Sequence, residues 1–213
     1  MYSYLALGAA HFNLKDYENA LHYVSLYTDY NWVKNPTEDE MAVIEQFQEW
    51  AEGNRHMYQL VSGKVEVLQE YLAYISTREN EVFPAICEIV TAANKFDINI
   101  DDVLKQYASY LTYEEQHYRI KKISEQFTAD RYANLLAGLG EYYLNKKAFA
   151  QGLEYVLDSL AFAIEIYNSY GILKCIGLFE QYRNFATKAV NERYKNLISE
   201  VQKLNEKENW LYG

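Results

Sequence analysis

The sequence predicts an all-α protein, and three observations support this fold class. Two prolines and nine glycines in 213 residues leave few breakers of regular structure. Apolar residues recur every three or four positions, which is the spacing of one face of a helix. The alternation of apolar and polar residues that marks a strand is hard to find. One of the helical stripes consists of Ile100, Val103, Leu104, Tyr107 and Leu111.

The spacing predicts about 10–11 helices joined by short links. Short links make consecutive helices antiparallel neighbours, so the predicted unit of structure is a helix hairpin. The predicted helices lie at about 1–14, 17–30, 38–61, 64–77, 82–96, 100–112, 114–127, 129–145, 148–167, 169–183 and 187–206.

Three of the predicted helix starts carry a local signal. Residues 37–40 (TEDE) and 112–115 (TYEE) have the spacing of a capping box, in which the threonine hydroxyl and the glutamate carboxylate each bond a free backbone amide. Asn80 and Pro84 mark the start of the helix predicted at 82–96.

The charge of the chain argues against direct binding of nucleic acid. Thirty acidic and twenty basic residues give a formal charge of −10, whereas a protein that holds a polyanion uses Lys and Arg to neutralise phosphates. The only dense basic patch, Arg119, Lys121 and Lys122, is interrupted by apolar residues at helical spacing and indicates a solvated helix face.

The sequence also predicts a soluble, cytoplasmic protein with no cofactor. No apolar run reaches the roughly 18–20 residues that cross a bilayer, and no export signal is recognisable. Cys87 and Cys175 are far apart in the chain, without a Cys-x-x-Cys motif or a nearby histidine. This arrangement is typical of two reduced thiols.

Nothing in the sequence predicts an enzyme. The four histidines, His11, His22, His56 and His117, have no partners at a catalytic spacing. The glycines of Gly138-Leu139-Gly140 lie in the middle of a predicted helix, so they do not form a phosphate-binding loop.

Two distant segments of the chain are nearly alike. Residues 7–24 read LGAAHFNLKDYENALHYV and residues 139–156 read LGEYYLNKKAFAQGLEYV, with seven of 18 aligned positions identical. Gly8 and Ala20 mark a place where two helices can cross closely, because almost no side chain separates them. The second copy has Gly152 at the place of Ala20, where helix propensity alone favours alanine by about 1 kcal/mol.

Both segments resemble the tetratricopeptide repeat, a helix-turn-helix unit of about 34 residues. Tyr27 and Ser159 replace a small alanine of the repeat, and His11 replaces an aromatic residue. The matching positions are Tyr4, Leu7, Gly8, His11, Ala20, Val24 and Tyr27 in the first copy and Leu136, Leu139, Gly140, Tyr143, Gly152, Val156 and Ser159 in the second. The resemblance implies a right-handed α-solenoid of antiparallel helix hairpins.

The resemblance also implies a single repeat domain over residues 1–213. Its parts are clear repeats at 1–34 and 133–166, degenerate helices at 37–127, and a C-terminal repeat with a capping helix at 167–206. Met1 falls on the first position of a repeat with no helix before it, which indicates that the chain is the C-terminal part of a longer protein.

The last predicted helix carries a narrow apolar stripe, formed by Val190, Tyr194, Leu197, Val201 and Leu204. Such a stripe either closes a solenoid or pairs with a second chain in a homodimer. The sequence leaves both possibilities open.

In this repeat family the first helix of each unit lines a concave surface that holds a peptide. The resemblance therefore predicts peptide-binding residues on two successive units: Asn134, Ala137, Glu141 and Asn145, then Asn168, Gly171, Leu178 and Phe179, with Leu144 and Cys175 on the same surface. An asparagine amide offers an acceptor and two donors, which match the C=O and N–H of a peptide backbone. The alternative is that Asn134 caps or is solvated near a helix start and that Asn168 ends a helix.

The whole chain resembles the peptide-sensing C-terminal domain of bacterial cell–cell signalling regulators, the Rap, Rgg, NprR, PlcR and PrgX group. Clear terminal repeats around degenerate middle helices, the segment AANKFDINIDDVLKQY at 92–107 and the richness in tyrosine and asparagine carry this resemblance. It implies a domain that binds a short signalling oligopeptide and alters DNA binding or oligomerisation through an N-terminal helix-turn-helix domain. The alternative is a repeat scaffold that binds a folded protein such as a response regulator, as the Rap branch does.

Overall fold

The computed structural model describes residues 1–112 and 125–209, and this part of the chain contains helices and no strands. The all-α prediction is confirmed. Ten α-helices are described: α1 (Tyr2–Asn13), α2 (Tyr17–Tyr27), α3 (Glu38–Ser62), α4 (Leu68–Ile75), α5 (Glu79–Phe96), α6 (Asp101–Gln106), α7 (Glu125–Asn145), α8 (Phe149–Glu165), α9 (Ser169–Tyr182) and α10 (Lys188–Asn209). Short 3₁₀ helices add Val65–Val67, Ala108–Leu111 and Arg183–Phe185.

Two predicted helices are divided in the structure. The helix predicted at 64–77 is a 3₁₀ turn followed by α4, and the helix predicted at 100–112 is α6 followed by a second 3₁₀ turn. The helix predicted at 114–127 lies outside the described residues except for its last three, which belong to α7. The capping box predicted at 112–115 and the basic patch of Arg119, Lys121 and Lys122 also lie outside them.

The capping box at the start of α3 is confirmed. The Thr37 hydroxyl accepts a hydrogen bond from the Glu40 backbone N–H at 3.3 Å, and the Glu40 carboxylate accepts one from the Thr37 N–H at 2.8 Å. The bond from the Thr37 N–H, together with one from the Thr37 hydroxyl at 3.1 Å, lowers the pKa of Glu40. Both partners are exposed, so this start is specified by local chemistry alone.

The helix α5 begins at Glu79, three residues before its predicted start, and Pro84 lies inside it. Pro84 has no N–H to donate to the carbonyl of Asn80, so one helical hydrogen bond is lost. Val82 and Phe83, immediately before Pro84, are buried at 2% and 1% exposure. Burial of these side chains therefore offsets the lost hydrogen bond. It lets the helix start earlier than local propensity predicts.

Contacts divide the chain into two compact units, Met1–Ala92 and Ala93–Gly213, with the boundary inside α5. In the first unit α2 contacts both α1 and α3, and α3 contacts α4. A buried cluster of the first unit consists of Ala20, Val24, Tyr27, Phe47, Ala51 and Tyr58. Tyr27, at a position where the repeat has a small residue, accepts a hydrogen bond on its hydroxyl from Asn54 at 3.1 Å.

In the second unit α8 lies at the centre of four helices. It contacts α7, α9 and α10, and α7 also contacts α9. The buried Ser159 of α8 donates a hydrogen bond to the Ala133 carbonyl of α7 at 2.8 Å and accepts one from the Cys175 thiol of α9 at 3.2 Å. This polar chain joins three helices inside an apolar core.

The apolar stripe of α10 packs within its own chain. Val190, Tyr194 and Leu197 are buried in the core of the second unit, and Val201 and Leu204 pack against it. The ring of Tyr194 stacks on Phe179 with centroids 3.8 Å apart. The stripe of α10 therefore packs onto the core of its own chain.

The two similar segments form the same helix–turn–helix unit. Lys15 and Lys147, at matching positions, are both left-handed, with φ of 62° and 60°. In both turns three successive N–H groups bond to carbonyls four, three and five residues earlier; the donors are Leu14, Lys15 and Asp16 in one and Lys146, Lys147 and Ala148 in the other. The turn between α8 and α9 repeats this pattern with Tyr167 at φ 58°.

The second pair of helices crosses more closely than the first. A Cβ atom on Gly152 would lie 2.7 Å from Leu144 Cγ, 2.9 Å from the Leu144 nitrogen and 3.0 Å from the Gly140 oxygen. At matching positions of the two pairs, a Cβ on Gly140 would lie 2.6 Å from Val156 Cγ2, whereas a Cβ on Gly8 would meet nothing nearer than 3.4 Å. The expectation that alanine would suit position 152 better than glycine is therefore wrong, because propensity does not include this tertiary clash.

No helix in the described ranges combines the length and the apolar character needed to cross a membrane.

Candidate functional site

Three of the predicted site residues form one line along α7, called here the α7 stripe: Asn134, Glu141 and Asn145. Asn134 and Asn145 are exposed and Glu141 is half-buried. At 100° per residue their side chains project within about 40° of one another. All three therefore face the same side of the helix.

Neighbouring segments flank the α7 stripe on both sides. On one side is α9, whose Lys174 Nζ lies 3.8 Å from Glu141 Oε2. On the other side is the segment 94–101, whose Asn94 donates from Nδ2 to the Gly138 carbonyl of α7 at 2.8 Å. The stripe thus runs along α7 between α9 and this segment.

The other predicted site residues serve mainly in packing and capping. Asn168 is the N-cap of α9: its Oδ1 accepts from the Gly171 N–H at 2.7 Å, and its Nδ2 donates to Asp130 Oδ1 at 2.9 Å. Asn168 therefore caps the start of α9, whereas the alternative given by the sequence had it ending a helix. Ala137, Gly171 and Phe179 are buried, as are Leu144 and Cys175, and Leu178 is half-buried against the same core.

A polar pocket of about 250 Å³ lies at the end of the α7 stripe. It forms where α5 ends: Asp97 is left-handed at φ 53°, and the Ile98 N–H bonds back to the Ala93 carbonyl at 3.1 Å. The turn that follows faces the last turn of α7. The pocket is lined by Ala93, Asn94, Asp97, Ile98, Asn99, Tyr142, Asn145 and Lys146.

One wall of the pocket is held by a hydrogen-bond network around Tyr142. Its hydroxyl accepts from the Ile100 N–H at 2.9 Å and donates to Asp101 Oδ1 at 2.9 Å. Lys146 pairs with the other Asp101 oxygen. Hydrogen bonds from Lys146 and Tyr142 lower the pKa of Asp101, and the bond to Asp101 raises the pKa of Lys146. The ammonium group is thus already neutralised by a carboxylate.

The side chain of Asn94, which lines the pocket, contains an acceptor without a donor. Asn94 Oδ1 is buried and has no hydrogen-bond partner, although the Nδ2 of the same amide is bonded. Leaving a buried acceptor unsatisfied costs about 1–3 kcal/mol. The carboxylate of Asp97 on the lining makes the pocket suitable for a hydrogen-bond donor.

Sequence reasoning named Asn145 but missed the other polar residues of the pocket. The available signal was the segment 92–107, which carried the resemblance to peptide-sensing regulators and contains Asn94, Asp97 and Asn99. Propensity and spacing could not show that this segment lies against the end of α7, more than 40 residues later in the chain.

A second exposed feature of the same unit is apolar. Tyr167, Tyr170 and Leu173, at the start of α9, are 70%, 73% and 71% exposed. In the described residues no group of three His, Cys, Asp or Glu side chains is placed to hold a metal ion.

No family model, curated protein or solved structure significantly matches this chain.

Proposed function

We propose that this chain is the peptide-binding sensor domain of a cytoplasmic transcriptional regulator, built as a right-handed α-solenoid of tetratricopeptide-like hairpins. A short signalling oligopeptide binds in the groove whose floor is the α7 stripe. Binding alters DNA binding or oligomerisation through a helix-turn-helix domain that precedes this chain. The proposal rests on the sequence resemblance together with the geometry of the second unit.

The repeated turn supports the solenoid part of the proposal. The hairpins α1–α2 and α7–α8 have the same hydrogen-bond pattern and the same left-handed residue. In the second unit each helix from α7 to α9 contacts the next one, and α7 also contacts α9. These are the contacts that successive helix pairs of a stacked repeat make.

The observation that carries the peptide-binding proposal is the spacing of the two exposed asparagines on α7. Asn134 and Asn145 are 11 residues apart on one face, which corresponds to about 16 Å along the helix. An extended peptide rises about 3.3 Å per residue, so about five residues would span the two amides. Each amide could bond one peptide group irrespective of its side chain.

A peptide lying along the α7 stripe would touch α9 and the segment 94–101 together. It would favour one separation of these two segments over others. A preference of this kind shifts a conformational equilibrium only by the difference in affinity for the two states, typically about 1–3 kcal/mol. That coupling is what a sensor domain passes to its output domain.

The test is calorimetric titration with a pool of random-sequence heptapeptides, followed by titration with the members that bind. Asn134→Ala and Asn145→Ala should each weaken binding about tenfold, because each removes two hydrogen bonds to the backbone. Asn196→Ala, an exposed position on α10, is the control and should bind normally. Asn168→Ala is unsuitable, since it removes a helix cap. Equal affinity of all variants, or no binding by wild type, would refute the proposal.

A scaffold that binds a folded protein is the second candidate, and the exposed Tyr167, Tyr170 and Leu173 favour it. Contiguous exposed apolar residues are typical of interaction surfaces. A scaffold would form a stable complex with a receiver domain in gel filtration, show no affinity for peptides, and lose the complex on Tyr170→Ser or Leu173→Ser. A complex unaffected by these two changes would rule out this surface.

A further inference from the structure

We infer that the polar pocket at the end of the α7 stripe binds a positively charged N–H group of the peptide, either its amino terminus or a lysine or arginine side chain. The inference rests on the proposed function and adds the chemistry that one end of the groove selects.

The pocket offers an acceptor to a ligand. The carboxylate of Asp97, an exposed residue, is on its lining. A cationic donor would satisfy this acceptor, and charge-assisted hydrogen bonds are about twice as strong as neutral ones.

The charges around the pocket also favour a cation. Lys146 is paired with Asp101, so the remaining formal charge of the lining is that of Asp97. In addition, α5 ends at Phe96 and α7 ends at Asn145, both beside the pocket. The last carbonyls of a helix carry partial negative charge, which attracts cations and repels anions.

The volume suits a small group. A cavity of about 250 Å³ holds an ammonium or a guanidinium group with a few waters, since one water occupies about 30 Å³ in the liquid. Asn145 belongs to both the pocket and the α7 stripe. A peptide on the stripe could therefore place its terminal amine, or a nearby basic side chain, in the pocket.

The first experiment uses small probes and the full chain labelled with ¹⁵N. Methylguanidinium and methylammonium should shift the side-chain amide resonances of Asn94 and Asn145, whereas tetramethylammonium, a cation with no N–H, should not. Asp97→Asn should weaken binding about threefold, the amount expected for a partly exposed charge pair. Asparagine tolerates the left-handed conformation of residue 97, so the turn is preserved. Asp102→Asn removes the same charge outside the pocket and is the control.

The second experiment distinguishes the two sources of the charge in the peptides that bind. Loss of about tenfold in affinity on N-acetylation assigns the pocket to the amino terminus, and the same loss on changing Lys or Arg to Gln assigns it to a side chain. If peptides bind but neither change nor Asp97→Asn matters, the pocket inference is wrong while the peptide function stands. If no peptide binds but the small N–H cations shift both amides, the proposed function fails and the pocket chemistry stands. If neither probe shifts either amide, the inference is overturned.

Discussion

At Gly152 even a methyl group has no room, because α7 and α8 approach each other through backbone atoms. The nearest atoms to an added Cβ include the backbone nitrogen of Leu144 and the backbone oxygen of Gly140. Neither can rotate away as the end of a long side chain could. At Gly177, on the exposed face of α9, an added Cβ would meet nothing within 4 Å. There is thus no space for a Cβ atom at Gly152 and ample space for one at Gly177.

We expect Gly152→Ala to destabilise the protein by about 1–3 kcal/mol, through forced separation of two helices. Gly177→Ala should stabilise it by about 0.5–1 kcal/mol, because alanine restricts the unfolded chain and costs nothing in the helix. Urea unfolding of both variants measures the two effects. A stable Gly152→Ala protein would show that α7 and α8 are not packed as described.

Tyr167 is held in a left-handed conformation that glycine adopts freely. For a non-glycine residue this conformation costs about 1–2 kcal/mol. Glycine removes this cost, but it also raises the entropy of the unfolded chain, which cancels part of the gain in stability. Tyr167→Gly should therefore raise the free energy of unfolding by about 0.5–1 kcal/mol. Tyr170→Gly, at a position equally exposed but helical, should lower it by about 1 kcal/mol. Thermal unfolding of the two variants should shift in opposite directions.

At the scale of elements, local chemistry was readable from the sequence and tertiary contacts were not. The start of α3 followed from Thr37 and Glu40, because both groups of the capping box lie within four residues. The start of α5 did not, since burial of Val82 and Phe83 carries the helix through Pro84. The sequence offered Asn168 as a groove residue or as a helix end, and its role as the cap of α9 required the positions of Gly171 and Asp130. The network that joins α6 to α7 also depends on long-range contacts.

Asp101 supplies a pH-dependent link between α6 and α7. Its pKa is lowered from the ordinary value of 3.8, chiefly by the hydrogen bond from Lys146. A lowered pKa means that the link stabilises the fold above about pH 4 and is lost as the pH falls below it. Asp101→Asn should therefore lower the stability at pH 7 by about 0.5 kcal/mol, an amount reduced by solvent exposure, and make little difference below pH of about 3.

The control for this prediction is Asp102→Asn, which removes a neighbouring carboxylate from the same first turn of α6. Both substitutions weaken the interaction with the helix dipole equally. Asp101→Asn should change the dependence of the melting temperature on pH more than Asp102→Asn does, because only Asp101 bonds to Tyr142 and Lys146. If the two variants show the same pH profile, Asp101 does not stabilise the junction.

At the scale of the whole molecule, buried tyrosines occur in the cores of both units. Burial raises the pKa of Tyr58, Tyr71 and Tyr74 in the first unit and of Tyr155 and Tyr194 in the second. The pKa of Tyr74 and that of Tyr194 reach about 12. Because burial raises the pKa of these hydroxyls, they stabilise the folded state only while the pH stays below their folded pKa.

The protein should therefore unfold at alkaline pH. Stability is complete below the unfolded-state pKa of about 10 and falls as the pH rises towards the folded values, because the unfolded chain releases protons that the folded chain retains. Ultraviolet absorbance of tyrosinate and far-ultraviolet circular dichroism should change together in a late, cooperative phase. If all 22 tyrosines of the chain ionised with the helices intact, the burial of Tyr58, Tyr71, Tyr74 and Tyr194 would be contradicted.

The buried Cys175 thiol, bonded to Ser159, can report on local opening of the second unit. The thiol is fully buried, and burial raises the pKa of Cys175, so an alkylating reagent finds neither access nor thiolate in the closed state. Reaction requires α9 to separate from α8. The alkylation rate at this one sulfur, compared with that of the unfolded chain, therefore measures the free energy of that separation, and a bound ligand that clamps the helices would slow it.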